Sequence, residues 1–134
     1  MFSIQFDACN REYTGLSSIG YALFYDSILL WTHYSMIQPA VNSSYAEYEA
    51  LVNALRFAIS LNIQYLNVQG DAKIVIDQIN NICSAKSDTI KPLLCEVNNL
   101  KKKFKVIEFE HIYRKDNILA DSLANQAIIN YLYN

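Results

Sequence analysis

The apolar residues of this chain change period along its length, and that succession of periods restricts the possible folds more than any other feature. Residues 2–7 alternate, with Phe2, Ile4 and Phe6 on one side and Ser3, Gln5 and Asp7 on the other. That is the pattern of a half-buried strand, which Asp7 ends on its polar face. A loop holding Gly15 leads to two more strand-like runs, 19–25 and 28–34, joined at Asp26-Ser27, and together they predict a hairpin. From Ser44 the period turns helical. Glu47, Ala50, Leu51, Ala54, Leu55 and Ala58 share one stripe, opposite Glu49, Asn53 and Arg56, and Ser43 or Ser44 is available as a cap. A strand over 64–69 passes through Gly70-Asp71 into a short helix from Lys73 to Ile79. After a polar linker come a helix over 90–103 with Pro92 in its first turn, an alternating strand over 105–112, and a last helix from Asn117 to about Tyr131. The order βββαβααβα predicts one α/β domain over residues 1–134. Its sheet is expected to be mixed and five-stranded, three antiparallel strands followed by parallel ones, flanked by helices.

Bulk composition excludes several classes. With 52% hydrophobic and 18% charged residues, three Gly and two Pro, the chain is neither disordered nor collagen-like. No run approaches 18 apolar residues, and an acid at position 7 interrupts any secretion-signal core. A soluble, intracellular monomer is expected, in cytoplasm or nucleoid or nucleus, with no membrane partner. Cys9, Cys83 and Cys95 are odd in number and widely spaced, so neither a disulfide framework nor a zinc site is indicated. Net charge is −2, without the basic excess of many nucleic-acid binders. Basic residues are concentrated only locally, at Lys101, Lys102, Lys103 and Lys105 with Arg114 and Lys115 beyond; the lysine run alone reads as a solvated helix end.

Two acids stand where packing calls for apolar side chains. Glu47 heads the apolar stripe of its helix, and Asp121 lies among Ile118, Ala124, Ala127 and Ile128 on the inward side of the last one. Ionised carboxylates there are costly unless paired, and neither Arg56 nor Arg114 falls at i+3 or i+4 from either acid. Asp71 stands just past the C-terminal end of a strand, where open α/β sheets place ligands, and Asp7 closes another strand. Taken singly, each acid reads as a cap, a turn residue or half of a tertiary ion pair. Four brought to one place would repel each other and raise one another's pKa unless a cation lay among them. Oxygen donors without Cys and with little His select Mg²⁺ or Mn²⁺ over zinc.

Four motifs in order now resemble type 1 ribonuclease H, in the compact branch without the basic protrusion, over essentially the whole chain. Phe6-Asp-Ala-Cys-Asn-Arg-Glu-Tyr-Thr-Gly-Leu-Ser-Ser-Ile-Gly20 is similar to F-D-G-A-S-R-G-N-P-G-P-A-G-I-G, and Asn42-Ser-Ser-Tyr-Ala-Glu-Tyr-Glu-Ala-Leu51 to T-N-N-x-A-E-Y-E-A-L. Val68-Gln-Gly-Asp-Ala-Lys73 matches the third motif, and His111 through Ala124 fits H-x-x-R-x-x-N-x-x-A-D-x-L-A. The chain departs from the pattern at Ala8, where the family has glycine, and at Ser43-Ser44, where it has amides.

The resemblance implies a ribonuclease H-like fold and hydrolysis of the RNA strand of an RNA–DNA hybrid. It implies Asp7, Glu47, Asp71 and Asp121 as catalytic metal ligands for two Mg²⁺ or Mn²⁺ ions bound with substrate, giving 5′-phosphate and 3′-hydroxyl ends. His111 has the spacing of a histidine that assists product release in some members. Ala8, Arg11, Ser43, Ser44, Arg114, Lys115 and Asn117 correspond to substrate contacts on a duplex read by shape and 2′-hydroxyls. Two rivals stand beside this: a weak or inactive module of the same fold that binds nucleic acid within a larger assembly, and a nuclease or integrase-like enzyme of that fold acting on DNA.

Overall fold

The computed structural model describes residues 1–134. Its elements, in chain order, are β1 (Phe2–Asn10), β2 (Ser17–Tyr25), β3 (Ile28–Ile37), α1 (Ser43–Ser60), β4 (Tyr65–Gly70), α2 (Lys73–Ile79), α3 (Lys91–Lys101), β5 (Val106–His111), a 3₁₀ turn (Arg114–Asp116) and α4 (Ile118–Tyr133). The strands form one mixed sheet in the order β3-β2-β1-β4-β5. β1 pairs antiparallel to β2 and parallel to β4, and β5 lies parallel to β4 on the far edge. The fold is ribonuclease H-like, with the expected mixture of antiparallel and parallel strands.

Local chemistry accounts for most element boundaries. Asp26 and Ser27 both have positive φ, 47° and 68°, the two-residue turn whose twist matches a right-handed hairpin. β1 continues three residues past Asp7, because Ala8, Cys9 and Asn10 still pair with Ile19, Ser18 and Ser17 of β2. Asp7 therefore sits inside a strand instead of closing one. The cap of α1 is Asn42, whose Oδ1 accepts from the Tyr45 N–H at 2.8 Å, and not Ser43 or Ser44. An Asn side chain at this position reaches the third amide of the first turn, and both serines already lie within the helix.

One face of the sheet carries α1, α2 and α3, and Ile4, Phe6, Ile19, Tyr21, Leu66 and Val68 pack there against Leu51, Leu55, Ala58 and Val97. The other face carries α4, held close to β2 by small residues. A Cβ on Gly20 would lie 2.6 Å from the Ala124 N and 2.8 Å from the Ala120 O, both backbone atoms of α4. Since Gly20 is the β2 partner of Asp7, this contact sets how near α4 comes to β1. Gly20→Ala should push α4 outward and destabilise the protein by about 1–3 kcal/mol. Thermal melting would show it, and an unchanged midpoint would mean that the helix is not seated through this contact.

Candidate active site

A cleft of about 550 Å³ opens where β1 is flanked on opposite sides by β2 and β4. It is lined by Asp7, Ala8, Cys9, Asn10, Ser43, Glu47, Asp71, Arg114, Asp121 and Asn125. Four separate elements supply its acids: Asp7 from β1, Glu47 from the second turn of α1, Asp71 from the residue after β4, and Asp121 from the first turn of α4. Oxygen atoms of Asp7, Glu47 and Asp71 lie within 4.8 Å of one another. Glu49, two residues on, lies away from the cluster, with Glu96 of α3 and Arg56 of its own helix as its charged neighbours.

The cluster is short of positive charge. Asp7 is 5% exposed and Glu47 9%. Burial pushes the Asp7 carboxyl up to about 7; Asp71 and Asp121 push the same way, and the Glu47 hydrogen bond and the Ala8 N–H oppose them. Glu47 is raised well above the usual carboxylate range, by burial first and by Asp7 next. Asp71 is raised by burial and by Asp121, against the Asn117 amide and the Arg114 guanidinium. Glu47 Oε2 is buried without a hydrogen-bond partner. A buried, unpartnered oxygen beside two more crowded carboxylates is a donor set that a hard divalent cation satisfies, and the residues present fit one.

Neighbouring groups hold these acids in place. The Ala8 N–H donates to both Asp7 Oδ1 (2.9 Å) and Glu47 Oε1 (3.1 Å). Asn125, one turn beyond Asp121 and not foreseen in the sequence, donates to the Asp121 carbonyl at 2.9 Å and lies 3.4 Å from its carboxylate. Its i+4 spacing from Asp121 was the available signal. Cys9, also unforeseen, turns its Sγ toward Asn125 Oδ1 at 3.6 Å.

Several expected contacts are placed otherwise. Asn117 is fully buried, with its Nδ2 donating to the Phe6 carbonyl at 3.0 Å. It ties the start of α4 to β1, and its amide also steadies the Asp71 carboxylate. The Ala8 N–H is taken up by the carboxylates and is not free for a substrate. His111 is the last residue of β5, paired with Gly70 and set edge-on to Tyr113 at 5.7 Å, and does not line the cleft. Arg114, from the 3₁₀ turn that follows, does line it. Ser43 lines the cleft and Ser44 does not, while Arg11 and Lys115 are exposed beyond its wall.

The lysine run lies at the other end of the molecule. Lys101 ends α3, and the Lys105 N–H bonds to Gln64 where β5 begins, whereas the acids sit beyond the opposite end of the parallel β4. Six strand residues intervene, roughly 20 Å. These lysines do not form a phosphate track beside the acids.

Known proteins agree with this architecture. Residues 5–127 match the family model described as reverse transcriptase-like. The EbsB protein of Enterococcus faecalis is 30% identical over 136 positions, all of this chain and 98% of that one. Ribonuclease HI of Halobacterium salinarum is 27% identical over 92% of this chain, which spans 62% of that protein. Among solved structures, LC11-RNase H1, isolated from compost and crystallised with an RNA/DNA hybrid, superposes with a TM-score of 0.91 at 25% identity, covering 98% of this chain and 99% of that one. Residues 80–90, between α2 and α3, form a linker with no inserted basic helix. The chain therefore belongs to the reverse transcriptase-like family of ribonuclease H domains, in its compact type 1 branch without the basic protrusion.

Proposed function

We propose that this chain is an endoribonuclease that hydrolyses the RNA strand of RNA–DNA hybrids, with residues 1–134 acting as one domain. The observation that carries the reading is the convergence of Asp7, Glu47 and Asp71 oxygens within 4.8 Å in an open cleft with Glu47 Oε2 unpartnered. Asp7, Glu47, Asp71 and Asp121 are the ligands assigned to two Mg²⁺ or Mn²⁺ ions. Bound among these oxygens, such ions supply Lewis acidity to a scissile phosphate and lower the pKa of an attacking water. Asp7, between Glu47 and the other two acids, is the residue placed to serve both positions. The Ala8 N–H fixes Asp7 and Glu47 at one angle, and Asn125 fixes Asp121, so the site needs little rearrangement on loading.

Arg114 offers its guanidinium to a phosphate oxygen at the edge of the acids, and Ser43 offers a hydroxyl to the sugar-phosphate strand from the opposite wall. Arg11, Ser44 and Lys115 are assigned to more distant backbone contacts. Three free thiols suit an intracellular, reducing compartment, and no helix is long and apolar enough to cross a membrane.

The deciding experiment is a gel assay with end-labelled hybrid, single-stranded RNA and duplex DNA, each with Mg²⁺, with Mn²⁺ and with chelator. RNA fragments bearing 5′-phosphates should appear from the hybrid alone, and only with a divalent ion. Cutting in chelator, or of duplex DNA in preference to hybrid, contradicts the proposal. Hybrid binding without products would make the chain a binding module.

A further inference from the structure

The two edges of the sheet are built differently. β5 carries Glu108 and Glu110 along its six residues and follows directly on Lys105, so charge guards it against another strand. β3, the opposite edge, is ten residues long and contains no Asp, Glu, Lys, Arg or Pro. Beyond it lies no strand, so one side of its backbone keeps a row of amide and carbonyl groups without ladder partners. One irregularity interrupts it, a register shift opposite Leu23/Phe24 that sets Leu30 out of the ladder, and Trp31–Ile37 then run in regular register.

The side chains along this edge are apolar and open to water. Ile28 is 66% exposed, Leu29 47%, Leu30 50%, Trp31 55% and Tyr34 41%. Beside them lie the last turns of α4, fastened to β3 where Asn130 donates to the Tyr34 hydroxyl at 2.8 Å, and here Ile129 and Leu132 are also exposed.

We infer that β3 is a homodimer interface, pairing antiparallel with β3 of a second copy across a twofold axis to join two five-stranded sheets into one of ten strands. The free backbone row calls for an extended strand as its occupant. An uncharged strand meeting itself antiparallel satisfies the same contacts from both sides and opposes no like charges, which makes the second copy a self-complementary partner. With the axis perpendicular to the sheet, the α4 face of one copy continues into the α4 face of the other, adding the exposed ends of both helices. The five β3 side chains expose on the order of 100 Å² each. In-plane pairing covers part of that area from both faces and adds to it the ladder along the free backbone row of β3. The acid cleft lies away from this edge, across β2, and stays open in the pair.

The chain has one tryptophan, Trp31, and it stands on this edge, so association carries its own optical reporter. Sedimentation equilibrium of the full chain between about 1 and 100 µM covers the range in which a modest interface dissociates. The expected mass at the upper end is twice the 15.4 kDa of the chain, falling on dilution together with a red shift of Trp31 emission. Thr32→Lys, an exposed change at the middle of β3, should weaken association at least about tenfold while hybrid cleavage and melting are retained. Thr32→Val, which keeps the edge uncharged, should still dimerise. A mass of 15.4 kDa at the highest concentration overturns the inference. So does association that Thr32→Lys leaves untouched, or a series of species growing beyond the dimer.

Discussion

Replacing Asp7 with Asn should lower hybrid cleavage at least about 1,000-fold, roughly 4 kcal/mol of barrier, while the protein stays folded. Asp7 is the buried centre of the acid cluster, with its carboxyl hydrogen-bonded to Glu47 and to the Ala8 N–H. Asn keeps the size of the side chain and an oxygen for the Ala8 N–H, but a neutral amide oxygen is a much poorer ligand for a hard divalent ion than a carboxylate. The substitution also removes one of the charges that repel Glu47 and Asp71. The metal-free variant should consequently melt no lower than the parent near neutral pH. Rates within tenfold of the parent, or a melting point several degrees below it, would contradict the role given to this residue.

The second large effect is in the pH dependence of metal-free stability. Asp7 has an ordinary value of 3.8 and is pushed up to about 7 in the folded chain. Between those values the folded state holds a proton that the unfolded state has released, so the contribution of Asp7 is greatest below about pH 4 and is lost as pH rises through about 7. The full shift corresponds to roughly 4 kcal/mol before the cleft relaxes, and Glu47, raised by burial, acts with the same sign. At about 3–5 °C per kcal/mol for a chain of this length, melting should drop by on the order of 10 °C from pH 5 to pH 8 in chelator. A bound divalent ion favours the ionised carboxylates, so saturating Mg²⁺ should recover most of the loss at pH 8 and little at pH 5. A flat metal-free profile, or equal gains from Mg²⁺ at both pH values, would show that the cluster is not held together against its own charge.

Much of this architecture was legible because long periodic segments report their own burial. The stripe from Glu47 to Ala58 marks α1, and an acid at its head is an exception that a core helix makes only for a reason. The Gly70-Asp71 junction places an acid beyond a parallel strand in the same way. Other features were hidden because they depend on partners distant in sequence. Nothing within residues 8–10 announces a strand; β2 supplies the ladder, and Ser17 seals its end by donating to Asn10 at 2.8 Å. Asn117 matches a polar motif position on the surface of a sequence, yet the Phe6 carbonyl that draws it inward is 111 residues away. His111 shows the converse. Its alternation within a strand is what the structure shows, whereas spacing to the motif acid says nothing of which residues line the cleft. The lysine run was legible as a helix end, and only the parallel pairing of β4 and β5 fixes which end of the sheet it occupies.

The acids come from the second strand-half of β1, the head of α1, the end of β4 and the start of α4, so the cleft is assembled entirely from contacts between remote segments. No contiguous stretch of the chain, and no partly folded piece lacking α4, brings all four together. Such contacts close late because their loop entropy must be met before they stabilise anything. A copy whose last helix has come loose keeps Asp7, Glu47 and Asp71 together but lacks Asp121. The four-acid set is thus complete only when α4 is docked, so seating the last helix and finishing the proposed centre are one event.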